Sequence, residues 1–127
     1  MKITMTSVMV DDQAKALTCY TELLGFVKRH DLAVGDARWL TVVSPEGSAD
    51  VELVLEPTGS PAAKVFQKAL FDAGLPLTSF GSADVHSEYE KLTKLGVVFR
   101  SRPKQAGPTT LAVFDDTCGN LIQLHQV

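Results

Sequence analysis

The chain has 127 residues, 45% of them hydrophobic, and a formal net charge of −3, which suits one compact domain with a buried core. No long run of basic residues indicates a nucleic-acid surface, and no apolar stretch approaches the ~18 residues of a membrane span. The N-terminal residues lack the apolar core of a signal peptide, and Cys19 and Cys118 are the only cysteines. A cytoplasmic protein without a disulfide framework is therefore expected.

The first half of the chain predicts a strand, a helix and three further strands. Residues 2–10 are rich in Ile, Thr, Val and Met and are typical of a strand. Asp11 or Asp12 then provides an N-cap for a helix, which Gly25 ends. The three further strands are expected at residues 26–34, 38–44 and 51–56.

The second half begins with a helix and then repeats this order of elements. Ser60 and Pro61 predict the start of the first helix. A strand at 77–82 and a helix between Asp84 and Gly96 follow. The last strands are expected at 97–100, 109–115 and 120–126, and residues 101–108, with two prolines and a glycine, are predicted as a loop.

The two halves match at a nearly constant spacing. Met5 pairs with Leu77, Asp12 with Asp84 and Leu23 with Leu95, each 72 residues apart, whereas Gly25 and Gly96 are 71 apart. This pattern favours a duplicated β-α-β-β-β unit over chance similarity, with one residue gained or lost at the end of the first helix. The predicted fold is α+β, with module one at 1–57, a linker helix at 58–75 and module two at 76–127, and eight strands in a curved mixed sheet or half-barrel with outer helices.

Alternation along the strands assigns residues to the concave face. If Met5 points inward, Ser7 does so too, and Leu77 and Ser79 match them in the second unit. Glu52 and the pair Gln123 and His125 fall on the same side, because their neighbours in sequence are aliphatic and suit packing under the helices.

Three segments resemble the vicinal oxygen chelate superfamily, which includes glyoxalase I, bleomycin-resistance proteins and extradiol dioxygenases. The segment from Val10 through Tyr20–Phe26 resembles the first helix of that superfamily, Val51–Leu53 resembles its fourth strand, and Phe114–Leu124 resembles its last hairpin. The resemblance covers nearly the whole chain and implies the fold more firmly than a reaction, since this fold carries many chemistries.

The resemblance also implies four metal-ligand positions, one on the first and one on the fourth strand of each unit. In this chain they are Met5, Glu52, Leu77 and Gln123. A thioether and a hydrocarbon thus stand where the family's metal enzymes usually carry His or Gln, and glyoxalase-type metals need several N or O donors together. No cofactor is therefore expected.

With these residues at the ligand positions, the resemblance implies a metal-free protein of the bleomycin-resistance type that binds a small organic molecule in the concave cup. The predicted ligand-binding residues are Met5, Ser7, Trp39, Glu52, Leu77, Ser79, Gln123 and His125. The alternative is a divalent-metal-dependent lyase or isomerase of the glyoxalase type, with His125 or water as an added ligand. A third possibility is a protein that acts through protein partners. The resemblance implies a homodimer, and neither nucleic acid nor membrane is expected as a partner.

Several residues allow two interpretations. Glu52 is the candidate general base next to a carbonyl, with a pKa raised by burial, or it forms a structural hydrogen bond. Trp39 lines the binding surface or packs in a core or dimer. Arg100, Arg102 and Lys104 hold an anionic ligand or form a solvated hairpin face. His30 and His86 are expected to be exposed.

Overall fold

The computed structural model describes residues 1–127, which form two compact units, Met1–Lys64 and Val65–Val127. No helix in the chain is both long enough and apolar enough to cross a membrane. Cys19 and Cys118 are buried and form no disulfide.

The first unit holds a four-stranded sheet with a helix after its first strand. In chain order its elements are β1 (Met5–Val10), α1 (Gln13–Thr18), a π-helical turn (Cys19–Leu23), β2 (Val27–Val34), β3 (Ala37–Val43) and β4 (Glu52–Pro57). The strand order is β1-β4-β3-β2. The β1–β4 pair is parallel and the other pairs are antiparallel.

The helix α2 (Pro61–Asp72) joins the units, and the second unit repeats the topology of the first. Its further elements are β5 (Thr78–Ser82), α3 (Val85–Lys94), β6 (Val98–Phe99), β7 (Lys104–Ala106), β8 (Thr109–Asp115) and β9 (Leu121–Gln126). The strand order is β5-β9-β8-β6, with β5 parallel to β9. The repeated β-α-β-β-β unit predicted from the sequence is confirmed.

The second sheet contains a strand that the sequence did not predict. Residues 101–108 were expected to be a loop, but β7 pairs with β8 and gives this sheet a fifth strand. Because β9 occupies the other edge of β8, β6 and β7 lie end to end along one edge. The backbone between Pro103 and Pro108 is long enough to hold three extended residues before the turn at Gly107.

The first helix contains the one extra residue that the first half has relative to the second. From Gln13 to Leu23 it has 11 residues, six of them in α1 and five in the π-helical turn, against the 10 residues of α3. The amide of Leu24 donates to the Cys19 carbonyl at 3.0 Å. A π turn is the usual local response to one extra helical residue, so it explains why the spacing between the halves changes from 72 to 71 at this point.

Each helix packs against one face of its own sheet. The opposite face of the sheet is not covered by that helix. In the first unit the fully buried residues include Val10, Ala16, Tyr20, Leu40 and Leu55. Gln13 also fastens α1 to the sheet, since its Nε2 donates to the carbonyls of Arg38 at 2.7 Å and Leu55 at 2.9 Å.

The second unit has an equivalent core. Val85 and Leu92 of α3 are buried with Phe114 and Ile122 of the sheet. The ring of Phe99 extends this core, with its centroid 5.5 Å from that of Phe114.

The β8–β9 hairpin is built around a buried carboxylate. Asp116 is 0% exposed and accepts from the backbone N–H groups of Cys118 at 2.8 Å and Asn120 at 3.0 Å, and from Asn120 Nδ2 at 2.7 Å. Gly119 lies in this turn with a φ of +101°, and a Cβ there would lie 2.7 Å from the Gln67 side chain. Only glycine fits this turn without rearrangement.

Candidate functional site

The strand register of the first unit places its predicted ligand-binding residues on the face away from α1. Met5 pairs with Glu52 and Ser7 pairs with Val54, while Val54 also pairs with Thr41. Residues in register share a face, and Trp39 joins them because it lies two positions before Thr41 on the same strand. Met5 is 43% exposed and Ser7 is exposed, so both are accessible on this face within the unit.

His30 joins this face because of an irregularity in β2. The register shifts between Lys28 and His30, so that His30, and not Arg29, stands opposite Thr41. The His30 backbone N–H donates to the Thr41 hydroxyl at 3.2 Å. The His30 ring then reaches Glu52, with Nδ1 3.0 Å from Oε2. Because an ionised carboxylate can only accept, this bond requires the hydrogen on Nδ1.

The Glu52 carboxylate is stabilised in its ionised form. Its side chain is 16% exposed, yet its pKa is lowered, first by the hydrogen bond from the Thr41 side chain, against the opposing effect of burial, and then by His30 and Arg29. The Arg29 guanidinium Nε lies 3.9 Å from Oε1. The prediction that burial raises the pKa of Glu52 was wrong, because the hydrogen bonds to its carboxylate outweigh the effect of desolvation.

This arrangement assigns different chemistry to Glu52 and His30. A carboxylate with a lowered pKa is a weak general base. It can instead fix the tautomer and orientation of the His30 ring by accepting the hydrogen bond from Nδ1. Glu52 is therefore better suited to orienting His30 than to removing a proton.

Three predicted residues of the second unit form one hydrogen-bonded network. Ser79 pairs with Gln123 and Gly81 pairs with His125 in the β5–β9 ladder. Gln123 Nε2 donates to Ser79 Oγ at 3.1 Å, and that Oγ lies 2.8 Å from His125 Nδ1. Leu77 lies just before β5, is 70% exposed and takes no part in this network.

A cavity of about 430 Å³ lies beside this network, within the second unit. Leu111, Val113 and Leu121 give it an apolar floor, and Gln123 supplies a polar group. Its remaining side-chain and backbone lining comes from Gly74, Pro76, Arg100, Ser101, Lys104 and Ala112. A pocket of this size with few polar groups suits a drug-sized organic molecule.

Residues 2–124 match the sequence model of the Glyoxalase/Bleomycin resistance protein/Dioxygenase superfamily. The chain belongs to this superfamily. It is also 53% identical to the Bacillus subtilis (strain 168) protein YurT over 126 residues, which is 99% of both chains.

Solved structures of this superfamily's fold are similar over the whole chain. The structure of UcmS2 has a TM-score of 0.85 and 31% identity, covering 100% of this chain and 98% of that one. TnmS3 from Streptomyces sp. CB03234, described as an antibiotic binding protein, has a TM-score of 0.77 and 31% identity, covering 99% and 95% of the two chains.

The residues at the superfamily's four metal positions do not fit a divalent-metal cage. Leu77 has no donor atom and Met5 offers only a thioether. Glu52 is engaged by Thr41 and His30, and Gln123 directs its amide N–H to Ser79. A hard divalent ion prefers several oxygen or imidazole donors together, and each unit supplies one such donor at these positions.

Sequence reasoning missed two contributors to the candidate site. His30 was expected to be merely exposed, but it is half-buried against Glu52. Thr41 was not singled out, yet it is fully buried on the same face. A polar residue between Leu40 and Val42 in a buried strand was the one available indication of Thr41.

Proposed function

We propose that this protein binds a small organic molecule directly, without a metal ion. The observation that carries the proposal is the cavity of about 430 Å³ in the second unit, with its aliphatic floor and the amide of Gln123 at its edge. Apolar pockets with a few oriented polar groups are the usual sites of organic ligands. The donor set at the superfamily's metal positions supports direct binding, because it lacks the ligands of a divalent ion.

The relatives support the same class of function. TnmS3 is described as an antibiotic binding protein, so a chain with this fold can serve in binding an organic compound. We propose a similar role here, with sequestration of the ligand as its outcome. A cytoplasmic location and a homodimer stay predictions of the sequence and of the resemblance.

Ligand binding is tested by a thermal-shift screen of organic compounds with metal-free protein. A ligand at 100 times its Kd stabilises the folded state by about 2.7 kcal/mol, which raises Tm by roughly 10 °C in a domain of this size. The shift should saturate and should be unchanged by EDTA.

Two variants locate the binding. Val113→Phe fills the cavity and should abolish the shift, whereas Val34→Phe, at an exposed position in β2, should leave it intact. If no compound gives a saturable shift, or if Val113→Phe binds as well as the wild type, the proposal is wrong. Stoichiometric divalent metal in protein purified from metal-supplemented medium would instead support the lyase or isomerase alternative.

A further inference from the structure

Two cationic side chains line the cavity of the second unit, and no acidic residue does so. The cations are Arg100 and Lys104. The charge of the cavity lining is therefore opposite to the net charge of the chain, which carries 15 acidic and 12 basic residues. A concave surface with charges of one sign and low-dielectric walls concentrates ions of the opposite sign.

The sheet places the two cations in equivalent positions. Lys104 pairs with Leu111, which pairs with His125. Two residues further along β8, the Arg100 backbone N–H donates to the Val113 carbonyl at 2.8 Å. Each cation therefore begins a row of side chains that crosses the sheet from strand to strand. The next side chain in the row, on β8, is aliphatic, and the last one, on β9, is polar.

The second row ends in the hydrogen-bonded network of β5 and β9. Val113 pairs with Gln123, and Gln123 donates to Ser79. The cavity thus offers positive charge at one side, an apolar floor in the middle and an amide at the other side. An anionic group joined to an apolar body complements all three regions.

Neither cation is neutralised by a neighbouring carboxylate. Arg100 and Lys104 form no salt bridge in this structure. The Arg100 guanidinium instead lies over the Phe71 ring, 5.0 Å from its centroid, and this stacking holds the charge in place without cancelling it. Arg102, the third basic residue of the segment, does not line the cavity.

We infer that the ligand of this protein is an organic anion, such as a carboxylate on an aromatic or aliphatic body, held by Arg100 and Lys104. This inference rests on the proposed function and adds the chemical class of the ligand. The anion accepts hydrogen bonds from the two cations, and its apolar body covers Leu111, Val113 and Leu121.

The test uses matched compounds that differ only in charge. Naphthalene, biphenyl and decane bodies are each prepared as the carboxylate, the neutral carboxamide and the primary ammonium, and Kd is measured by calorimetry on the full chain. The carboxylate of at least one body should bind about tenfold more tightly than its carboxamide. That preference should shrink as NaCl rises from about 50 to about 500 mM.

Variants assign the preference to the two cations. Arg100→Gln and Lys104→Gln should each weaken carboxylate binding by about 3- to 10-fold with little effect on the carboxamide, and Arg100→Lys should recover part of the loss. Arg102→Gln is the matched control and should change Kd by less than about twofold. If Arg100→Gln fails to fold because its contact with Phe71 is lost, Lys104→Gln still decides the inference.

The outcomes separate this inference from the proposed function. If a carboxamide or ammonium binds as tightly as its carboxylate, or if Arg102→Gln has the larger effect, the inference is wrong and the binding function stands. If inorganic sulfate displaces the carboxylate at an equal concentration, the apolar body contributes nothing and the inference is also wrong. If none of the compounds binds and the broader screen also finds no ligand, both proposals fail.

Discussion

Replacing Glu52 by Gln should destabilise the protein at neutral pH, and the loss should disappear in acid. The substitution keeps the shape of the side chain and one acceptor oxygen but removes the negative charge. In the wild type this charge accepts hydrogen bonds from Thr41 and from His30 Nδ1, on a side chain that is 16% exposed.

The size of the effect follows from these two bonds. A hydrogen bond to a charged group contributes about 1.5–3 kcal/mol. Burial of the carboxylate and the acceptor that Gln retains offset part of this, so the expected loss is about 1–2 kcal/mol. In a domain of this length that corresponds to a fall in Tm of roughly 4–8 °C.

The pH dependence of stability is a second, independent test of whether ionised Glu52 stabilises the fold. The pKa of Glu52 is lowered from its ordinary value of 4.5, so the folded state binds the Glu52 proton more weakly than the unfolded state does. The stabilisation is therefore complete above the unfolded pKa and is lost as the pH falls through the folded pKa. The stability difference between wild type and Glu52→Gln should be constant near neutrality and should close below about pH 4.5.

Urea unfolding of both proteins between pH 3 and pH 8 measures this difference, with Glu56→Gln as the control. Glu56 lies on the same strand and face but has no hydrogen bond or ion pair through its side chain, so its substitution should cost less than about 0.5 kcal/mol. A Glu52→Gln variant that equals or exceeds the wild type in stability at pH 7 would refute the reasoning, because a carboxylate with a raised pKa gives that result.

Three further results are expected. Asp116→Ala leaves three N–H donors without their acceptor and should lower the free energy of unfolding by about 3 kcal/mol or more, as measured in urea. Asp36 is exposed in the β2–β3 turn, so Asp36→Ala should have little effect. Gln13→Ala removes the side-chain link between α1 and the sheet and should cost about 2 kcal/mol; Gln13→Glu should cost more, because a carboxylate would face two carbonyl oxygens. Dialysis against EDTA should change the Kd of any ligand found in the screen by less than about twofold, as calorimetry before and after chelation can verify.

Most of the fold was predictable because its local and tertiary preferences agree. Asp12 and Asp84 cap equivalent helices, accepting from Lys15 N at 3.0 Å and Ser87 N at 2.9 Å. The sequence predicted Asp84 and left the first cap open between Asp11 and Asp12. Strand alternation likewise placed Ser7 and Glu52 on one face of their sheet, because the aliphatic residues next to them in sequence pack under the helix.

The parts that were not predictable depend on pairing between strands. The shift that turns His30 toward Glu52 is visible only in the register of β2 against β3, since nothing in the sequence marks a bulge there. Strand β7 is three residues long between two prolines and forms only because β8 offers an unpaired edge. The pKa of Glu52 was misjudged for the same reason, since its partners lie on neighbouring strands.

The π-helical turn at Cys19–Leu23 shows where this fold can gain or lose a residue without disturbing its strands. One residue added within a strand would reverse every later side chain of that strand between the two faces of the sheet. Added within the helix, the same residue is taken up by a single wide turn, and the strands on either side keep their orientation. Insertions and deletions that accumulate during divergence should therefore concentrate at this helix, while the length of β4 stays constant.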